Sequence, residues 1–108
     1  MSKVLEQFNN INMNLHLLSE ECKEVGLVVS KALRFGLTDV DPDSPNSAPK
    51  YQLLEQEIGD VFALVDILIH NQIGISHEGI AQAKARKLQK LARYYGNGEF
   101  AKNGPLEE

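Results

Sequence analysis

Two stretches of this chain set carboxylates three residues apart: Glu21 and Glu24 in Leu18-Ser-Glu-Glu-Cys-Lys-Glu24, and Glu57 and Asp60 in Leu54-Glu-Gln-Glu-Ile-Gly-Asp60. On a helix that spacing puts both side chains on one face. The face decides what they can do. On a wheel with Leu18 at zero, the apolar arc of the first stretch spans about 260° through 0° to 60°. It runs from Leu17 and Val28 through Val25, Leu18 and Val29 to Cys22 and Leu33. Glu21 falls inside it at about 300°, and Glu24 on its edge at about 240°. With Leu54 at zero, Glu57 falls at about 300°, between Leu64 and Leu68, and Asp60 at about 240°, between Ile67 and Leu53. Glu20, Lys23 and Arg34, and on the second wheel Glu55, Asp66 and His70, occupy the polar sides.

An uncompensated carboxylate among apolar neighbours costs several kcal/mol, about the scale of a whole domain's margin of stability. Four together repel and must protonate unless cations sit among them. Hard divalent ions with all-oxygen shells meet that need, Mg²⁺ first and Mn²⁺ next. No Glu-x-x-His occurs, which argues against a di-iron bundle. The wheels predict Glu21 and Glu57 as the deeper pair and Glu24 and Asp60 as the rim pair. Glu20 and Asp66 should lie outside the metal shell.

The elements that position these acids are helical. A first segment runs from about Lys3 to Phe35, with Asn9, Asn10 and Asn12 able to split it, and Gly36 suits its stop. Residues 37–49, with three prolines among Asp, Ser and Asn, read as a loop. A second helix should start near Pro49 and run to about Gln72. Gly74 breaks the chain, and Ser76 suits the N-cap of a third helix ending near Gly96. The expectation is an all-α helical bundle of three to four helices per chain, one domain over residues 1–95, with a mobile tail over 96–108.

On the third helix, with Ile80 at zero, Leu91, Tyr95, Leu88 and Ala92 share an arc of about 0° to 120°, and Lys84 falls inside it at about 40°. Lys87 lies at its edge. An inward lysine facing acids is a salt bridge or a phosphate clamp; the wheel leaves both open. Lys31 shares the face of Glu24, and Asn71 that of Asp60. Each is a candidate substrate contact or an ordinary helix-edge residue.

Composition bounds the partners. The net charge of −4 does not suggest a nucleic-acid binder. Cys22, the lone cysteine, excludes an internal disulfide and a Cys-rich zinc site, and reads as core. His16, His70 and His77 read as surface or capping residues. The amino terminus has no secretory pattern. The most apolar run, Val61 to Ile69, is short and contains Asp66, so no membrane span is expected. A cytoplasmic protein is the expectation. A chain of 108 residues buries little surface alone, and the second helix is apolar on most sides, so an oligomer is expected.

The two acidic stretches together resemble the EExxE…ExxD signature of MazG-like all-α nucleotide pyrophosphohydrolases. Ser30-Lys-Ala-Leu-Arg-Phe-Gly36 and the Pro-rich loop after it look like the short phage and bacterial members. The resemblance covers roughly Leu15 to Tyr95. It implies Mg²⁺-dependent hydrolysis of nucleoside triphosphates to monophosphate and pyrophosphate, in a homodimer or homotetramer. By motif position it assigns Glu21, Glu24, Glu57 and Asp60 to the metal, with Lys84 and then Lys87 toward the phosphates. The sequence departs from the family in a longer gap between Glu24 and Glu57 and in an illegible later Lys/Asn motif. Phosphoribosyl-ATP pyrophosphohydrolase chemistry, or a non-catalytic nucleotide-binding or interaction dimer, are the alternatives.

Overall fold

A computed structural model describes residues 2–95. Among these it has four helices and no strand: α1 (Ser2–Leu5), α2 (Ile11–Phe35), α3 (Lys50–His70) and α4 (His77–Tyr95). The expected tail, 96–108, lies outside the described residues. The asparagines do split the first segment. Asn10 is extended, and its Oδ1 accepts the Met13 N–H at 3.1 Å, which caps α2. Gly36 ends α2 with φ at 96° and donates its N–H to Ala32 O at 2.8 Å. A Cβ there would meet Asp39 Oδ2 at 2.8 Å, which that exposed side chain can turn to relieve, so it is the positive φ that calls for glycine.

Residues 37–49 contain no helix and turn back on the start of α3. The Tyr51 N–H donates to Leu37 O at 2.9 Å and the Lys50 N–H to Asp39 O at 3.4 Å, which occupies donors that a helix start leaves free. Pro49 precedes α3 in extended conformation. α3 stops at His70, slightly short of the expected Gln72, because Gln72 (φ 57°) and Gly74 (φ 106°) turn the chain. Ser76 caps α4 as expected, with its Oγ accepting the Gly79 N–H at 3.0 Å. No described helix is long and apolar enough to cross a membrane.

The chain divides into two units, Met1–Ile73 and Gly74–Glu108, of which residues 74–95, with α4, are the described part of the second. In the first unit α2 packs on α3. The pairing is antiparallel and its register is visible at both ends. Near the start of α2, Asn14 Nδ2 donates to Asn71 Oδ1 at 2.8 Å. At its other end, the Phe35 ring lies 5.7 Å from Lys50 Nζ. Asn14 and Phe35 are as far apart on α2 as Lys50 and Asn71 are on α3, so one register holds throughout. Asn14, Glu21, Val28 and Phe35 are each a heptad apart, and so are Lys50, Glu57, Leu64 and Asn71. All eight are buried or half-buried. The seam between the helices is thus unusually polar.

The apolar arcs are not closed over by this pairing. Among the described residues Ile67 and Leu68 are the buried hydrophobics, whereas Leu33 is 83 % and Phe62 64 % exposed. Cys22, expected in the core, is exposed instead. It sits on the arc of α2 that turns from the seam toward a face that α3 leaves open.

Candidate metal centre

Glu21 on α2 and Glu57 and Asp60 on α3 converge. One carboxylate oxygen from each lies within 4.8 Å of the others. Glu21 and Glu57 are half-buried in the seam, while Asp60 and Glu24 are exposed, the same ordering of depth that the wheels predict. Glu24 shares the helix face of Glu21 but is outside the group of three, and Glu20 and Asp66 are outside it too.

The electrostatics of Glu21 follow from this placement. Its carboxyl is pushed above its ordinary pKa, first by loss of solvent and then by the negative charges of Asp60, Glu57, Glu24 and Glu20. Each cause disfavours the ionised form, and a cation among the acids would oppose the charge repulsion. The donor set is all oxygen and anionic, which suits Mg²⁺ or Mn²⁺ better than softer metals.

The other candidates fall in different places. Asn71 caps α3, and its amide is occupied: besides accepting from Asn14, its Nδ2 donates to Phe8 O at 2.9 Å. Asn14 also donates to Phe8 O, at 3.0 Å. Asn71 therefore ties the turn before α2 to the end of α3. Lys31 is half-buried on α2. Lys84 and Lys87 are exposed on α4 of the second unit, because the apolar arc that holds Lys84 is itself largely uncovered.

Two buried polar residues escaped the sequence reading. Asn14 is 2 % exposed and Lys50 1 %, and Lys50 Nζ has no hydrogen-bond partner among the described residues. A signal for both was present. Asn14 lies one heptad before Glu21 and Lys50 one heptad before Glu57, so they continue the same polar seam.

Comparison of the chain with known protein families, curated proteins and solved structures finds no match.

Proposed function

We propose that this chain is a Mg²⁺-dependent hydrolase that converts nucleoside triphosphates to monophosphate and pyrophosphate. The observation that supports this most is the meeting of Glu21, Glu57 and Asp60 across two helices. The likeness of the two acidic stretches to the MazG-like signature supplies the substrate class. Glu21, Glu57 and Asp60 would hold the divalent ion, with Glu24 at the rim. Such an ion, when bound, offsets phosphate charge and lowers the pKa of an attacking water. Glu24 or Glu20, left out of the group of three, accepts the proton of the water that attacks the α-phosphorus. Ammonium groups suited to the pyrophosphate are those of Lys31, Lys84 and Lys87. The working form is a homodimer or homotetramer in the cytoplasm.

The test is a panel of ribo- and deoxyribonucleoside triphosphates with magnesium, read by pyrophosphate release and by thermal denaturation. Turnover is expected on at least one nucleotide. Magnesium is expected to raise the melting temperature of the parent protein but not of Glu57→Ala, which also loses turnover by about 100-fold or more. A magnesium shift without turnover would leave the metal site and remove the catalysis. Neither shift nor turnover sinks the whole reading.

A further inference from the structure

Lys50 is the one buried charged side chain among the described residues, and its Nζ has no hydrogen-bond or ion-pair partner among them. The Phe35 ring, 5.7 Å away, gives the ammonium a face to rest on but no counter-charge. A buried charge in that state is costly, and a fold that keeps one calls for an anion to meet it.

The anion is identified by what lies along the seam. Lys50 comes seven residues before Glu57 on α3, and Lys31 seven residues after Glu24 on α2. Because the two helices are antiparallel, both steps lead the same way, from the acids toward Phe35. Each step is about 10 Å of helix. Between the acids and the lysines lie Val28, Leu53 and Leu54, half-buried and uncharged. All of these residues belong to the first unit. The seam thus runs from a seat for a cation, over an apolar stretch, to two ammonium groups. A single phosphate on the cation would leave the ammonium groups unmet. A chain of phosphates held at one end by the cation extends toward them, and the flexible four-carbon stems of the lysines cover the rest.

We infer that Lys50, together with Lys31, receives the outer phosphates of a polyphosphate whose near end is held by a divalent ion at Glu21, Glu57 and Asp60. Lys50 leaves the Phe35 ring to do so, by rotation within its own stem. The inference rests on the metal reading above for one end of the ligand, but not on turnover.

Calorimetric titration of the full chain in magnesium, with inorganic pyrophosphate and separately with orthophosphate, tests it. The parent protein should bind pyrophosphate about tenfold or more tightly than orthophosphate, and chelator should abolish that preference. Lys50→Met should keep the rise in melting temperature that magnesium gives the parent, yet lose most of the preference for pyrophosphate. Lys23→Met, which removes the same charge from the polar side of α2, should keep both. If circular dichroism shows that Lys50→Met has lost helix, Lys50→Gln takes its place. A parent protein that binds the two anions equally overturns the inference and, where magnesium still raises its melting temperature, leaves the metal reading standing. A parent that responds to neither magnesium nor pyrophosphate removes both. Lys50→Met binding pyrophosphate like the parent would make the ammonium a structural feature alone. Lys23→Met losing as much as Lys50→Met would trace the affinity to net charge. Either result also overturns the inference.

Discussion

Glu21 is the residue on which most of the site's electrostatics falls. Because its native pKa is raised, the folded state binds its proton more tightly than the unfolded chain does. Its contribution to stability is therefore greatest below its ordinary pKa and is lost as pH rises through the raised one. In chelator, the melting temperature of the parent protein should fall over that window, and Glu21→Gln should flatten the fall and melt higher near neutral pH. Parallel profiles for the two proteins would show that the acids do not repel one another. Lys50 raises the complementary question. Its ammonium is buried, lacks a hydrogen-bond partner, and stands at the first residue of α3, the unfavourable end of that helix's dipole. Its visible compensation is the Phe35 ring. Lys50→Met keeps the stem and removes the charge, and should stabilise the fold by about 1 kcal/mol or more in urea titrations. A loss of stability would mean that the ammonium has a favourable role the ring alone does not explain.

At the scale of elements, α2 and α3 are held in register by polar pairs at the ends of the seam as much as by apolar contact. The Asn14–Asn71 bond, with both amides on Phe8 O, closes one end. Removing one member leaves a partly buried partner unsatisfied. Asn14→Ala and Asn71→Ala should each cost about 1–3 kcal/mol. In a double-mutant cycle they should couple by about 0.5 kcal/mol or more, since they share one network. Strict additivity in chemical denaturation would refute the shared role. Much of this level was legible beforehand. The asparagine break, the Gly36 stop, the proline-rich loop and the Ser76 cap are local events, set by side chains within a few residues of the backbone groups they satisfy. The depth of Glu21 and Glu57 relative to Glu24 and Asp60 was legible too, since a helix wheel carries angular position directly. The roles of Asn14, Asn71 and Lys50 were not, because each depends on which residue of the opposite helix it meets.

For the whole molecule, the two units differ in what they bury. Ile67 and Leu68 are the buried hydrophobics of the first unit, whereas α4 buries nothing. Hydrogen exchange at low protein concentration should therefore be faster for amides of α4 than for those around Ile67 and Leu68 in α3. Equal protection in both would contradict the picture of an uncovered helix. Cys22, Leu33 and Phe62 are likewise exposed on the first unit.

The sequence alone determined the all-helical class, the helix limits to within a few residues, and the four acids that lie on or beside apolar arcs. Periodicity and capping are properties of a chain and its immediate neighbours, so they can be read without a partner helix. Tertiary structure decided which of the acids meet. Glu21, Glu57 and Asp60 converge because antiparallel pairing brings one turn of α2 beside one turn of α3, and Glu24, on the same helix face, falls outside the group. It also decided that the seam is polar and the apolar arcs open. A wheel marks the side of a helix that wants cover; only the register of the pair says whether this chain supplies it.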